Sequence, residues 1–352
     1  MLTHLVRFSL LLTVCVIALG AYTRLADAGL GCPDWPGCYG QLSVPSTLAD
    51  IQQANEHFPQ LTVEAEKAWL EMIHRYFAGS LGLVVFCISV VGWRTQKVSK
   101  SLSVAISVVV IFQALLGMWT VTLMLMPIIV MGHLLGGFTL FCSLCLVYWQ
   151  LTHSQKGKDA YELDVNHSQQ TSISTSLKSL ALLSLIVVII QIALGGWTSS
   201  NYAALMCTSL PICQGDWMSY LDFRQAFDMI QPEKSTYEFG TLDYGARMTI
   251  HVTHRLGALL TVLVVGALIV QLYRHPSSVY KTMARRLAWL LSAQVLLGLS
   301  NILLSLPLLV AVAHNLGAAL LLITILYINV LIWRSVPSPT DSTHILSKES
   351  TR

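Results

Sequence analysis

Four histidines lie inside apolar stretches of this 352-residue chain: His74 in "EMIHRYFAG", His133 in "GHLLGG", His254 in "THRLGA" and His314 in "AHNLGAA". An ionisable side chain in a membrane-length segment is costly and by default marks a functional site. One such histidine is more often a helix–helix hydrogen-bond partner, but four in duplicated pairs point to ligands. His74 and His254 stand near the starts of their segments, while His133 follows Pro127 by six residues and His314 follows Pro307 by seven. That spacing sets all four at similar depth. Two imidazoles facing each other across a helical bundle suit the iron of a bis-histidine haem, because bundle cores house cofactors and imidazole is a common axial ligand. Zinc fits less well, since neither half of the chain offers a third or fourth ligand. Arg75 and Arg255 directly follow two of the histidines, and a guanidinium at that depth suits a haem propionate.

A carboxylate distinguishes the two pairs. Glu71 precedes His74 by three residues and shares its helix face, whereas the second half carries His251 at the corresponding position. Glu71 reads either as a functional acid beside one cofactor or as an interfacial acid favoured by the dipole at a helix start. Both readings stand at this level. His251 is a rival ligand by spacing, and its position at the very start of its segment fits a loop-edge residue better.

The elements that must position these groups are membrane helices. Hydrophobic residues make up 54% of the chain and charged ones 11%, against about 25% charged in an ordinary soluble domain. Eight apolar runs are long enough to cross a bilayer, at 5–25, 71–93, 102–124, 127–149, 177–199, 248–272, 286–305 and 308–333. The first run leads into Tyr22-Thr23-Arg24 without a small-x-small cleavage pattern, so it reads as a membrane helix and not as a signal peptide. Basic residues gather in three connections, among them Arg94, Lys97, Lys156, Lys158, Arg285 and Arg286. The long loops 26–70 and 200–246 are acidic. The positive-inside rule then makes both termini cytoplasmic and turns the two long loops outward.

Outward loops can hold disulfides. "CPDWPGC" and "CTSLPIC" each enclose five residues between cysteines, Cys32 and Cys38 in the first loop, Cys207 and Cys213 in the second. We read them as two local disulfides shaping lids over the haem pockets, each worth about 2–3 kcal/mol by loop-closure entropy. Metal binding and a redox relay are the competing readings. Cys142 and Cys145, three apart on one helix, are awkward to bridge. They read with Cys15 and Cys87 as small packing residues.

The chain is also written twice. Cys32, Pro36, Cys38 and Gly40 recur 175 positions later as Cys207, Pro211, Cys213 and Gly215, and "LGAYTR" recurs as "LGGWTS" at the same offset. "IHRYFAGSLG" matches "THRLGALLTV" at 180, and "QALLG" and "GHLLGGFTLF" match "QVLLG" and "AHNLGAALLL" at 181. Each half holds four segments, so the two copies run in parallel about an axis along the membrane normal. The fold expected is an all-α polytopic membrane protein of eight transmembrane helices in two pseudo-symmetric four-helix bundles, residues 1–151 and 177–334. A cytoplasmic linker at 152–176 joins them, and a Ser/Thr/Pro-rich disordered tail closes the chain at 335–352.

"GAYTRLADAGLGCPDWPGCYG", with "EMIHR", "GHLLGG", "THR" and "AHNLG" in that order, resembles the haem A synthases from about residue 8 to 333. The resemblance implies oxidation of the C8 methyl of haem O to the formyl of haem A through a hydroxymethyl intermediate, with oxygen supplied by water. It implies haem B as a cofactor between His254 and His314, and haem O as substrate between His74 and His133. The family's loop acid falls on Glu71, and its paired cysteines on Cys32/Cys38 and Cys207/Cys213. Implied partners are the haem O synthase (a protohaem farnesyltransferase), terminal oxidase assembly factors and an unnamed electron acceptor. A homo-oligomer fits the family and nucleic acid does not. The implied location is the bacterial inner membrane, with the Cys-bearing loops on the periplasmic face. The competing function is a bis-histidine di-haem cytochrome, linked to quinone, that moves electrons without altering haem. A transporter also suits parallel repeats, but the paired His-Arg motifs argue against it.

Overall fold

In the computed structural model, residues 1–164 and 173–334 are described, with side chains as far as Thr152 in the first stretch and from Ile173 to Trp333 in the second. The helices are α1 (Leu2–Leu25), α2 (Leu48–His57), α3 (Ala65–Arg94), α4 (Lys100–Thr122), α5 (Pro127–Asp164), α6 (Thr175–Ser200), α7 (Phe223–Ala226), α8 (Tyr244–Arg274), α9 (Ser278–Leu303) and α10 (Leu308–Arg334). Among the described residues there is no strand, and Cys38 and Gln41 form an isolated bridge. All but α2 and α7 are long and apolar enough to span a bilayer, so this is a multi-pass membrane protein.

Several helices extend beyond the apolar runs that announce them. α3 begins at Ala65 and α8 at Tyr244, adding most of two turns and about one turn respectively at the end that bears a histidine. α5 continues past residue 151 to Asp164, so the opening part of the expected linker is helical. Its residues there, Gln, Lys and Glu among them, favour helix without being apolar. The rest of that linker as far as residue 172, and the expected tail 335–352, lie outside the described residues.

α1 and α4 each pack against both α3 and α5, and α6 and α9 each pack against both α8 and α10. Contacts of α1 with α10 and of α5 with α6 join the two sets. Lipid tails are as apolar as leucine, so such contacts depend on close approach and not on burial alone. Gly196 on α6 shows this: an added Cβ would sit 2.9 Å from Leu134 Cδ2 on α5.

The chain reverses in the same way twice. Met124 and Leu125 (φ 51° and 63°) precede α5, and Ser305 and Leu306 (φ 56° and 63°) precede α10. The Leu125 N–H donates to Thr120 O at 2.8 Å, and the Leu306 N–H to Asn301 O at 2.7 Å. Left-handed backbone costs an L-residue roughly 1–2 kcal/mol, so these tight reversals depend on the helices that leave them. Each of those helices starts at a proline, Pro127 opening α5 and Pro307 standing just before α10, and carries its histidine within the next two turns.

Each long loop carries a small core of its own at the histidine end of the helices. In the first, Cys32, Cys38, Tyr39, Val44 and Ala54 close over Ala68 and Met72 of α3. In the second, Ala203, Ala226 and Leu242 gather about Trp197 and Ile250, and the indole N–H of Trp197 donates to Ala226 O at 2.8 Å.

Candidate functional site

His74 on α3 and His133 on α5 meet with ring centroids 6.4 Å apart and ring planes at 84°. A metal–imidazole bond is about 2.0–2.1 Å, so one metal between two ring nitrogens sets the ring centres about 6–6.5 Å apart. The pair thus fits a single axially held metal. His254 on α8 and His314 on α10 occupy the corresponding positions of the second half. Among the described residues no three or more His, Cys, Asp or Glu side chains cluster as a metal cage. Each half therefore offers two imidazoles, and a metal held by such a pair would need its remaining donors from another ligand.

Each imidazole packs on a glycine of the adjacent helix. A Cβ added at Gly20, Gly117, Gly195 or Gly298 would sit 2.8, 3.3, 3.2 or 3.2 Å from Cε1 of His74, His133, His254 or His314 respectively. Three of the four rings are also held by a glutamine one turn before that glycine. Gln113 Nε2 donates to the His133 carbonyl at 2.7 Å and reaches its Nδ1 at 3.1 Å. Gln191 Nε2 does the same at His254, at 3.0 and 3.1 Å. Gln294 Nε2 donates to the His314 carbonyl at 3.0 Å and lies 3.5 Å from its Nε2. In a metal site, partners of this kind fix the ring plane of a ligating histidine.

Glu71 and Arg75 face the first loop. Glu71 is 5% exposed. Its Oε2 accepts the Cys32 N–H at 2.9 Å, and its Oε1 accepts from Arg75 Nη2 at 2.5 Å. Arg75 Nη1 donates to the carbonyls of Asp34 at 2.9 Å and Gly37 at 2.5 Å, with Pro36 O at 3.4 Å. Cys32 and Cys38 are disulfide-bonded. Asp34 closes the knot by accepting the N–H groups of Tyr39 at 2.6 Å and Gly40 at 2.8 Å. Burial, with Glu64, Glu71 and Asp34 nearby, pushes the Tyr39 phenol above its ordinary pKa. It therefore stays a donor, to Thr62 O at 3.0 Å.

The second loop is held alike. Cys207 and Cys213 are bonded, and Arg255 donates to the carbonyls of Cys207 at 2.8 Å and Ser209 at 3.0 Å. His251 is not at a loop edge: α8 starts at Tyr244, so the residue lies about two turns into the helix, buried, with Nδ1 2.9 Å from Ala203 O. Cys15, Cys87, Cys142 and Cys145 are unpaired.

The histidines of the first half come together as their spacing anticipates, and Glu71 lies one turn from His74. The N–H groups of Arg75 and Arg255 are taken by loop carbonyls. The glutamines are the residues that reading the motifs alone passes over. Gln113 and Gln294 recur within the matched repeats. Gln191 has no counterpart, since Val16 stands 175 positions before it. The pattern Gln-x-x-x-Gly opposite His-x-x-Gly is the signal that finds all three.

Residues 3–326 match the COX15-CtaA family, described as cytochrome oxidase assembly protein. The chain belongs to that family. It is 50% identical over 337 residues to the haem A synthase of Shewanella oneidensis, covering 96% of this chain and 98% of that one. The haem A synthase of Allorhizobium ampelinum is 25% identical over 324 residues, 87% of this chain and 84% of its own. That of Shouchella clausii is 27% identical over 209 residues, 58% and 60% of the two chains.

Proposed function

We propose that this protein is a haem A synthase that oxidises the C8 methyl of haem O to a formyl group, through a hydroxymethyl intermediate, in support of terminal oxidase biogenesis. The observation that carries the reading is the His74–His133 pair with a buried carboxylate on one side only, in a chain half identical along nearly its whole length to a haem A synthase. In this reading residues 1–151 form the substrate bundle and residues 177–334 a pseudo-symmetric cofactor bundle. Both termini are cytoplasmic, and the two knotted loops face the periplasm from a bacterial inner membrane.

His74 and His133 hold haem O by its iron and fix the methyl in one orientation. His254 and His314 hold haem B, which supplies one-electron redox chemistry. Each stage of the oxidation releases two electrons and two protons, and water provides the oxygen. Glu71 receives a proton or stabilises positive charge at the methyl carbon. Arg75 can then turn wholly to the carbonyls of Asp34 and Gly37, which already share it. Arg75 and Arg255 serve first to hold the loops down as lids, with propionates as their second acceptors. Lids that exclude water keep proton transfer under the control of the side chains. The haem O synthase delivers the substrate, and the electron acceptor is a separate partner.

The test is to co-express the chain with a haem O synthase, extract the haems in acidic acetone and analyse them by liquid chromatography and mass spectrometry, with Glu71→Gln in parallel. Haem A or its hydroxymethyl precursor in the wild type, diminished in the variant, is the expected result. Well-expressed protein that binds haem B but leaves haem O wholly unconverted, in a host where a known synthase works, would favour an electron-transfer cytochrome.

A further inference from the structure

The four histidines share one kind of support, and the exception falls at one site. Opposite His133, His254 and His314 stand Gln113, Gln191 and Gln294, each donating to the histidine's own carbonyl and contacting its ring. Three residues after each of these histidines is a glycine, Gly136, Gly257 or Gly317, against which the glutamine Oε1 lies so closely that a methyl group there would collide with it. His74 has neither feature. Val16 occupies the position equivalent to Gln191, and Phe77 the position equivalent to Gly257. The Nδ1 of His74 is buried with no hydrogen-bond partner among the described residues. The glycine on which its ring packs, Gly20, is retained.

We infer that His74 is the exchangeable axial ligand of this protein, while His133, His254 and His314 are held in place by their glutamines. The inference rests on the haem-binding reading of the two pockets. An amide that donates to the histidine's own carbonyl while lying against its ring restrains rotation of the side chain. Loss of such a partner typically costs 10–100-fold in metal affinity. His74 lacks the grip and so can swing off the iron. A substrate must enter and a product leave the first pocket, whereas a resident cofactor stays. The asymmetry thus matches different residence times in the two pockets. Gln113 keeps the product's other ligand, His133, oriented throughout. The glutamines are positioning residues, acting through the histidines they hold.

Carbon monoxide tests the inference, because it binds ferrous haem only where an axial ligand departs: one Fe–N bond breaks, one Fe–C bond forms, and no electron is transferred. Two full-length preparations are needed. His254→Ala/His314→Ala keeps only the first pocket, and His74→Ala/His133→Ala keeps only the second. Both are reduced with dithionite, exposed to carbon monoxide and followed in the Soret region, after acid-acetone extraction has measured the haem in each. The first is expected to bind carbon monoxide at least about tenfold faster than the second. Adding Val16→Gln/Phe77→Gly to the first should slow binding by a similar factor, the second change being needed to make room for the amide. Adding Gln191→Val to the second should speed it. Equal rates in the two haem-loaded preparations, or faster binding in the second, would overturn the inference and leave the haem-binding reading intact. Absence of haem from both would overturn that reading and the inference with it. Should the double transplant fail to load haem, Gln191→Val alone decides, and an unchanged rate there counts against the inference.

Discussion

Replacing Glu71 by glutamine tests whether this side chain latches the first knot as well as serving chemistry. The carboxylate has two partners, the Cys32 N–H at 2.9 Å and Arg75 at 2.5 Å. A glutamine can keep its oxygen on one of them and must turn its NH2 toward the other, donor against donor. Stranding a buried charge outright costs about 3–5 kcal/mol, but Arg75 retains the carbonyls of Asp34 and Gly37. The loss is therefore one charge-assisted hydrogen bond, about 1.5–3 kcal/mol. At about 1.4 kcal/mol per factor of ten, the open form of the knot should rise about 10- to 100-fold. Hydrogen exchange read by mass spectrometry on the peptide spanning Gly31–Gly40, in detergent, measures this directly, with the knot at 207–213 as internal control. Little change at the first knot, or an equal change at both, would refute the latch. Loss of haem conversion with unchanged exchange would mean that Glu71 acts on the substrate alone.

Arg24 joins the two repeats: its Nη2 donates to Ser199 O at 2.8 Å and its guanidinium lies 4.1 Å from the Tyr202 ring centroid. Arg24→Ala should cost about 1.5–3 kcal/mol and lower the thermal midpoint in detergent, with increased exchange at the ends of α1 and α6; an unchanged midpoint would show that the contact is dispensable. Cys207→Ser/Cys213→Ser should remove about 2–3 kcal/mol of loop-closure stabilisation, and reductant should lower the wild-type midpoint likewise. Haem content should survive, because Arg255 still has the carbonyls of residues 207 and 209 to hold. Hydrogen bonds from the backbone and then the side chain of Thr47 hold the Asp50 carboxyl below its usual pKa. The capping box they form at α2 is thus fully present above the ordinary aspartate value of about 4, and is lost as pH falls through the lowered folded value. Exchange of the α2 peptide should rise over that acid range in the wild type. In Asp50→Asn it should already be raised at neutral pH and show no such step.

The membrane helices are legible because lipid demands long apolar runs and little else. The first turns of α3 and α8 are not, because Ala65–Leu70 and Tyr244–Arg247 are helical through loop packing and not hydropathy. The meeting of His74 and His133 is legible from their depth, since a bundle leaves an inward polar group few places to go. The destinations of Arg75 and Arg255 are not. A guanidinium near the surface takes whichever acceptor comes within reach, and that depends on the path of loops whose turns no periodicity describes. Gln191 is hidden for another reason. Comparison of the two halves reveals what they share, and here they differ, with Val16 opposite. The capping box at Thr47–Asp50 carries a local signature that a reading centred on the histidines overlooks.

Arg75 and Arg255 grip their loops chiefly through main-chain carbonyls, and every peptide unit has one of those. Such a grip is blind to the side chains it passes. It accounts for how "CPDWPGC" and "CTSLPIC" can share only their cysteines and one proline and still dock in the same manner. What the two loops have in common is a route for the chain, and the letters along that route are free to differ.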